Sequence, residues 1–303
     1  MQKSIFALLL YFRKVPFQVS TVAVTPWHHL GYDILAHHTI WNQQEVQKIM
    51  PNDTVYISIL RNPVDLFESL YSYAELGKVY NKSLEEFALA DKESGPLSQR
   101  AFGHLGQNQM LYDFGMNISQ FQNLKAINEK IHEIETKFDL IMIAERFDES
   151  MILLKHLLNW TTEDVNSLKQ NARESGQRTK LSVKARNRLT DWLKGDQMLY
   201  NYFYEIFDNK VKNFGSGMMT KELSSLVSTR EFMKNQCSIS AKKSSNLQGV
   251  LKPYGKVIGY HTDLNNAECL GFATAENPFT DILRNIQRRR AKKHFYNLFN
   301  FKT

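Results

Sequence analysis

The sequence predicts an α/β protein in which a parallel sheet is flanked by helices and followed by a mostly helical C-terminal half. Three short runs have the alternating or continuously apolar character of β-strands, at Phe17–Val24, Thr54–Leu60 and Asp139–Ala144. Helix-like stretches separate these runs, and short buried strands that alternate with helices are typical of parallel sheets. After Ala144 the sequence predicts no further strand.

The helices are predicted from apolar residues that recur at helical spacing. Those between the strand-like runs are Gln43–Met50, Pro63–Leu76, Ser83–Ala90 and Ile127–Lys137. Those after the last run are Asp148–Asn159, Ser182–Phe207 and Thr220–Lys234. The polar stretch Ala241–Gly249 is predicted to be a loop.

The positive charge of the chain is concentrated at its C-terminal end. The 303 residues include 38 Lys and Arg against 31 Asp and Glu, a formal net charge of +7. Seven basic residues and no acidic residue lie in 284–303, which leaves 31 of each sign in 1–283. Because the body is neutral, the composition argues against a nucleic-acid-coating domain.

Two cysteines and the apolar runs narrow the class of protein further. Cys237 and Cys269 are too few for a disulfide-rich scaffold or a cysteine-rich zinc protein, and the sequence leaves open whether they pair. No segment reaches the roughly 18 apolar residues that span a bilayer. The run Ile5–Phe12 is followed by Arg13 and Lys14 instead of a small-residue cleavage site, which favours a buried element over a targeting segment.

The stretch Thr54–Tyr73 contains the residues best suited to binding a ligand. Its strand ends at Arg61, and Pro63 suits the first position of a helix that carries Ser69. Ligands of parallel α/β sheets bind beyond the carboxyl ends of the strands, where a guanidinium can bind a phosphate with two hydrogen bonds. The spacing alone also fits an arginine in a salt bridge and a serine facing solvent, and by itself it favours that interpretation.

Seven blocks of the sequence, taken in order, carry a resemblance to a known family. The blocks are Gly31–His38, Tyr56–Tyr71, Gly106–Gly115, Phe138–Leu154, Asn171–Ser182, Leu193–Phe207 and the region from Cys269 to Leu283. Over roughly residues 28–287 the chain resembles the galactose-3-O-sulfotransferase family, which includes cerebroside sulfotransferase. The Arg-Asn-Pro-Val pattern at Arg61, with the Glu-Ser pair ending at Ser69, is similar to the site that binds the 3′-phosphate of PAPS (3′-phosphoadenosine 5′-phosphosulfate) in sulfotransferases.

The resemblance implies a P-loop-like sulfotransferase fold and transfer of a sulfuryl group from PAPS to the 3-hydroxyl of galactose. The acceptor would be a glycolipid or glycoprotein glycan in the Golgi, and no metal is expected. Arg61 and Ser69 would bind the 3′-phosphate, with Arg178 of a basic loop folding over it. His37 or His38 would act as the base for the sugar hydroxyl or as a transition-state donor. From the residues alone, the loop also fits a solvated helix entry, and the histidine pair fits a surface or capping feature.

Two departures from the family pattern bear on activity. The chain starts with Met1–Ser4 and continues with what resembles the helix after the 5′-phosphosulfate loop, which predicts an N-terminally incomplete sheet lacking that loop, its first strand and the membrane anchor. Thr39-Ile40-Trp41 stands where family members usually place an arginine. We therefore expect weak PAPS binding and negligible turnover for residues 1–303 alone. The alternative function is that of a catalytically inactive, sulfotransferase-like glycan-binding or regulatory protein.

The remaining expectations concern domains, membrane contact and glycosylation. Residues 1–283 are expected to form one sulfotransferase-like domain and 284–303 a basic, aromatic tail. The tail suggests peripheral contact with a membrane or an anionic partner, and a solvated helix end is the other interpretation. Four N-x-[ST] sequons, at Asn52, Asn81, Asn117 and Asn159, fit a luminal glycoprotein, although about three would occur by chance.

Overall fold

The computed structural model describes residues 16–22, 32–36, 39–90, 105–170, 172–173, 179–253 and 257–299, with only some of the side chains beyond 286. The described residues form two compact units. The first unit contains those up to Phe147 together with 179–210, and the second contains those of 148–173 together with 211–299. How the chain divides into folding domains stays a prediction.

The first unit contains the predicted parallel sheet. Its described strands are β1 (Ile57–Leu60) and β2 (Leu140–Ile143), in a register that pairs Leu60 with Ile143. Every side chain of β2 is buried, whereas Ile57 and Ile59 on one face of β1 are 37% and 42% exposed. Helices surround the sheet, which confirms the predicted α/β fold class. The prediction that β1 is fully buried was wrong for this one face.

The helices follow the predicted order with changed boundaries. In chain order they are α1 (Gln43–Val46), α2 (Pro63–Tyr73), α3 (Leu76–Tyr80), α4 (Leu84–Leu89), α5 (Gln109–Asp113), α6 (Leu124–Lys137), α7 (Phe147–Leu157), α8 (Thr162–Val165), α9 (Val183–Trp192), α10 (Lys194–Phe214), α11 (Ser216–Gln236), α12 (Ala267–Ala273) and α13 (Glu276–Phe299). Short 3-10 helices lie at Val19–Thr21, Ile118–Gln120, Ala144–Arg146, Ser244–Asn246 and Gly249–Leu251.

Local chemistry explains where α2 begins and ends. The side chain of Asn62 caps the helix, because its Oδ1 accepts hydrogen bonds from the backbone N–H groups of Val64 and Asp65 at 3.1 and 3.2 Å. Pro63 occupies the first helical position, where its missing N–H costs nothing. The helix ends before Glu75, whose φ of 52° is incompatible with a continued right-handed helix, so the predicted Pro63–Leu76 is shorter in the structure.

The apolar face of α2 holds the helix in place. Val64, Phe67 and Tyr71 are at most 6% exposed and belong to one core cluster. That cluster also includes Leu84 and Ala88 of α4 and Ala185, Leu189 and Leu193 from α9 and its C-terminal end. The ring of Phe67 packs edge-on against that of Trp192, with centroids 5.1 Å apart. The start of α2 is therefore fixed by its cap, and its axis by burial of its apolar side.

The N-terminus of α10 is anchored to α5 by a fully buried carboxylate. Asp196 accepts hydrogen bonds from the backbone N–H groups of Met110 and Leu111 at 3.0 and 2.9 Å, and its own N–H donates to Asn108 Oδ1 at 3.0 Å. Burial raises the pKa of Asp196 to about 7, against the opposing effect of these two donors. A Cβ at Gly195 would lie 2.8 Å from Leu111 Cδ1, so glycine permits the close approach of the helices.

The predicted first strand, Phe17–Val24, was wrong within the described residues. Pro16 forms a single parallel bridge with Ile40, and Phe17 N–H donates to the Ile40 carbonyl at 2.9 Å. The chain then turns into the 3-10 helix Val19–Thr21. The N–H of Val19 donates to Glu45 Oε2 at 3.0 Å, so a side chain takes the donor that a ladder would have used.

The second unit contains strands that the sequence did not predict. Strand β3 (Ser240–Lys243) pairs antiparallel with β4 (Ile258–His261), so the expectation that strands stop after Ala144 was wrong. The predicted loop Ala241–Gly249 instead begins within β3 and continues into 3-10 helices. Only one β3 side chain is even partly buried, which explains why apolar periodicity did not reveal the strand. A disulfide joins Cys237 to Cys269, which settles the pairing that the sequence left open.

Candidate functional site

The carboxyl ends of β1 and β2 lie side by side, and the candidate site begins there. The last paired residues are Leu60 and Ile143. Beyond them, the first strand continues into Arg61 and the second into the 3-10 turn Ala144–Arg146. Two segments more than 80 residues apart in sequence are thereby brought to one edge of the sheet. This is the edge at which parallel α/β sheets bind their ligands.

Arg61 is the sequence-predicted site residue that the structure places most clearly. Its side chain is partly buried, and no hydrogen-bond or ion-pair partner for it lies among the described residues. The salt bridge that the spacing alone favoured is therefore not observed in this part of the chain. The nearby acid Asp65 instead pairs with Arg186 of α9, at 2.7 Å. An unpaired guanidinium at a strand end keeps all its donors available for an anion.

Ser69 lies on the helix that begins directly after Arg61. It is partly exposed, and its hydroxyl has no hydrogen-bond partner among the described residues. It is the sixth residue after Pro63, which places it about 9 Å along the helix axis. The N-terminus of α2 carries the positive end of the helix dipole on the same side as Arg61. Arg61, the N-terminus of α2 and Ser69 therefore lie along one continuous strand–helix segment.

Glu68 connects α2 to the chain that follows the basic loop. This carboxylate is 7% exposed and accepts a hydrogen bond from Thr179 N–H at 2.9 Å. Glu85 of α4 accepts two further bonds, from the N–H and hydroxyl of Ser182, at 3.1 and 2.5 Å. Thr179 follows Arg178 in sequence, and Glu68 precedes Ser69. The structure thus bonds Thr179, the residue after Arg178, to Glu68, the residue before Ser69.

Three of the predicted site residues, His37, His38 and Arg178, lie outside the described residues. The chain after the histidine pair is well held, because Ile40 is 4% exposed and Trp41 N–H donates to the Asp113 carbonyl at 2.8 Å. The ring of Trp41 packs against those of Tyr56 and Phe138, with centroids about 5 Å apart. Ile40 and Trp41 therefore serve packing.

Sequence reasoning missed Glu145, which follows β2. Its Oε1 accepts a hydrogen bond from Asn62 N–H at 2.8 Å, and its Oε2 accepts one from the Tyr200 hydroxyl at 3.1 Å. The carboxylate therefore joins the residue after Arg61 to helix α10. No motif or spacing in the sequence marks this contact, because it depends on the register of the two strands. Position directly after a buried strand was the only signal that could have drawn attention to Glu145.

Metal and membrane features are absent from the part of the chain that the structure describes. No group of three or more His, Cys, Asp or Glu side chains there could hold a metal ion. Within the same residues, no helix is both long and apolar enough to cross a bilayer.

A parallel α/β sheet followed by an arginine and a serine that have no partner among the described residues has groups of the kind that bind phosphate. Comparison with known proteins narrows the class of protein. The model of the galactose-3-O-sulfotransferase family matches residues 11–267. Because the match covers most of the chain, the protein belongs to the galactose-3-O-sulfotransferase family. The resemblance noted from the sequence is thereby confirmed.

Curated relatives agree with this assignment. The chain is 31% identical over 246 residues to galactose-3-O-sulfotransferase 2 of Mus musculus, covering 77% of this chain and 62% of the relative. It is 33% identical over 215 residues to galactosylceramide sulfotransferase of Homo sapiens, covering 68% and 50%. It is 31% identical over 280 residues to galactose-3-O-sulfotransferase 3 of Mus musculus, covering 85% and 64%.

The matched regions cover only part of each relative. The chain spans about half to two thirds of the length of these relatives. No solved structure matches the chain at a significant level.

Proposed function

We propose that the protein transfers a sulfuryl group from PAPS to the 3-hydroxyl of galactose on glycolipid or glycoprotein glycans. The observation that carries the proposal is Arg61 at the carboxyl end of β1, without a partner among the described residues, in a chain that belongs to the galactose-3-O-sulfotransferase family. Relatives named for galactose and galactosylceramide support the class of acceptor. PAPS supplies the sulfuryl group when it is bound.

The residues at the strand end suit the 3′-phosphate of PAPS. Arg61 would bind two phosphate oxygens through its planar guanidinium, and the Ser69 hydroxyl would donate to a third. Arg178 would add a second cation, and the bond from Thr179 N–H to Glu68 supports this placement because it brings the neighbouring backbone to α2. The dianionic phosphate would also gain from the N-terminal end of the α2 dipole.

In the chemical step the galactose oxygen would form a bond to sulfur as its proton is removed, the bond between sulfur and the 5′-phosphate oxygen would break, and adenosine 3′,5′-bisphosphate would leave. His37 or His38 would accept that proton, because imidazole is the common side chain that is partly unprotonated at neutral pH. The opposite assignment, in which the same imidazole donates to a developing negative charge, would use the protonated form. The pH at which turnover is maximal would separate these two roles.

Titration of PAP (adenosine 3′,5′-bisphosphate) into the purified chain tests the site. Arg61→Ala is expected to weaken PAP binding roughly 10- to 100-fold, because it removes charge-assisted hydrogen bonds. Arg188→Ala, which removes an exposed arginine of α9, is the matched control and should change affinity less than about 2-fold. Absence of PAP binding by the unsubstituted chain, or binding that survives Arg61→Ala, would overturn the proposal.

A sulfation assay tests the reaction separately from donor binding. With PAPS and a terminal galactoside as substrates, any sulfated product is expected to carry the sulfate at the 3-hydroxyl and to form at the low turnover expected above for residues 1–303 alone. His37→Ala or His38→Ala should abolish this product while PAP affinity is retained. PAP binding that depends on Arg61, without any sulfated product, would instead indicate an inactive member that only binds ligands.

We place the protein in the Golgi lumen or at its membrane. The disulfide between Cys237 and Cys269 supports this location, because such bonds form and persist in the secretory pathway. The four sequon asparagines, Asn52, Asn81, Asn117 and Asn159, are all exposed in the structure. Digestion of the cell-derived protein with an N-glycosidase should lower its mass, and an unchanged mass would remove this support.

The tail formed by 284–303 is proposed to touch an anionic membrane surface. It is the basic part of the sequence, and its described portion belongs to α13, where Arg284 pairs with Asp281 at 2.6 Å and Arg289 is exposed. Basic helices gain affinity for anionic lipids from each charge near the surface. Co-sedimentation with phosphatidylserine vesicles should therefore be lost when 284–303 is deleted, and equal binding by both proteins would contradict the contact.

A further inference from the structure

The carboxylate of Glu145 joins three segments of the first unit. Glu145 belongs to the 3-10 turn after β2, and its two oxygens accept from Asn62 N–H at 2.8 Å and from the Tyr200 hydroxyl at 3.1 Å. Tyr200 lies on α10 and is 8% exposed. One side chain thus connects the ends of both parallel strands to a helix that packs beside them.

The contact to Asn62 falls at the point where sheet pairing has ended. Leu60 is the last residue of β1 that pairs with β2, so the N–H of Asn62 has no ladder partner. Glu145 supplies the acceptor for it, while the side chain of the same asparagine caps α2. Asn62 is therefore held on both its backbone and its side chain. Because Arg61 directly precedes Asn62, these bonds restrain the backbone next to Arg61.

Tyr200 makes a dependable donor to Glu145. Burial, together with the neighbouring charge of Glu145, raises the pKa of its hydroxyl, which therefore stays protonated at physiological pH. The charge of Asp65, in the first turn of α2, makes a smaller contribution to the same rise in the pKa of Tyr200. Both oxygens of Glu145 already accept hydrogen bonds, which suits a group that holds other residues in place.

We propose that Glu145 is a positioning residue for the 3′-phosphate site, acting through Asn62 to hold Arg61 in the orientation that binds PAPS. This inference rests on the proposed function and adds a residue to the same site. Glu145 does not touch the donor itself. Its contribution should therefore appear only when Arg61 is present to be positioned.

Titration of PAP into single and double variants tests this dependence. Glu145→Ala is expected to weaken PAP binding about 3- to 10-fold, the range set by loss of one or two hydrogen bonds. Glu145→Gln should stay within about 2-fold of the unsubstituted protein, because its amide oxygen can accept from Asn62 and its NH₂ can donate to Tyr200. In the Arg61→Ala background, Glu145→Ala should cause no further loss, as expected for two residues that act as a unit.

Glu135→Ala is the matched control. Glu135, on α6, accepts a hydrogen bond at 2.6 Å from the hydroxyl of Tyr202, and Tyr202 lies on α10 as Tyr200 does. Glu135→Ala should leave PAP affinity unchanged. If Glu145→Ala does not fold, Tyr200→Phe replaces it, with an expected loss of about 2- to 3-fold that again requires Arg61.

The outcomes separate this inference from the proposed function. An unchanged or tighter affinity in Glu145→Ala, or an equal loss with and without Arg61, would overturn the positioning role. Tighter binding by both Glu145→Ala and Glu145→Gln would show that the charge only repels the phosphate. Failure of Arg61→Ala to weaken binding would instead remove the proposed function, and the positioning role with it.

Discussion

Each of the two parallel strands is followed by an arginine, and the two arginines have different surroundings. Arg61, after β1, has no hydrogen-bond or ion-pair partner among the described residues. Arg146, in the turn after β2, donates to Asp208 at 2.7 Å and lies over the ring of Phe207, 5.1 Å from its centroid. The charge of Arg146 is satisfied within the fold, whereas that of Arg61 is available to a ligand.

The difference arises from helix α10. Four of its residues, spaced three or four apart or adjacent, make the contacts at the end of β2, namely Tyr200, Tyr204, Phe207 and Asp208. Together they engage Glu145 and Arg146, and none of them pairs with Arg61. An arginine at a strand end is therefore structural or functional according to which side chains the neighbouring helix supplies, and this can be tested at both ends.

The largest effect is expected at Asp196, the buried anchor of the helix whose side chains engage the end of β2. Asp196 holds the N-terminus of α10, and burial raises its pKa from an ordinary 3.8 to about 7. The folded protein keeps this proton to a higher pH than the unfolded chain, so the contribution of Asp196 to stability is full below about pH 4 and is lost as the pH rises through 7. The free energy of unfolding should fall by up to about 4 kcal/mol over that range.

Urea unfolding at several pH values would measure this dependence. Asp196→Asn should flatten it, because the amide does not titrate. The asparagine retains one acceptor for the two N–H groups of Met110 and Leu111, so its stability at low pH should be lower than that of the unsubstituted protein. Equal pH slopes for both proteins would contradict the raised pKa.

The second largest effect is expected for Arg146→Ala, which should distinguish the role of Arg146 from that of Arg61. Loss of the partly buried ion pair with Asp208, and of the contact with the Phe207 ring, is expected to lower the free energy of unfolding by about 1–3 kcal/mol. PAP affinity of the folded fraction should be unchanged. Arg61→Ala should show the reverse, with a stability change within about 0.5 kcal/mol. If Arg146→Ala reduced PAP affinity as much as Arg61→Ala, the contrast between the two arginines would be wrong.

The smallest effect is expected at Ser69. Ser69→Ala should weaken PAP binding about 2- to 5-fold, because it removes one neutral hydrogen-bond donor to the phosphate. Ser72→Ala, which removes an exposed hydroxyl one turn further along α2, serves as the matched control and should have no effect. Equal affinities of the two variants in PAP titrations would exclude Ser69 from the site.

Much of the first unit could be predicted from the sequence, because its signals are local. The apolar runs of β1 and β2, the Asn-Pro start of α2 and the helix period of α6 each depend on a few neighbouring residues. Other elements were missed because the residues that stabilise them are distant in sequence. Strand β3 is polar and exposed and exists through its pairing with β4, and the segment after Phe17 loses its donor to Glu45.

The candidate site likewise has some features that the sequence predicted and others that depend on residues distant in sequence. Arg61 and Ser69 were predicted as site residues from the family resemblance, and the family is confirmed, whereas their role in binding stays a prediction. Whether Arg61 was paired could not be read from the spacing of these residues, since the answer depends on which carboxylates the fold brings near. Asp65 is close in sequence, yet it pairs with Arg186, more than 120 residues away. His37, His38 and Arg178 stay predictions, because they lie outside the described residues.

By itself, the sequence determined the fold class, the family, and the presence of Arg61 after β1 and Ser69 on the helix that follows. These properties follow from local periodicity and short motifs, in which interacting residues are neighbours along the chain. The tertiary structure decided that, within the described part of the chain, Arg146 has an ion-pair partner and Arg61 has none. It also decided that Glu145 reaches both Asn62 and Tyr200, and that Cys237 pairs with Cys269. Each of these depends on contacts between distant segments, which only packing and strand register bring within bonding distance.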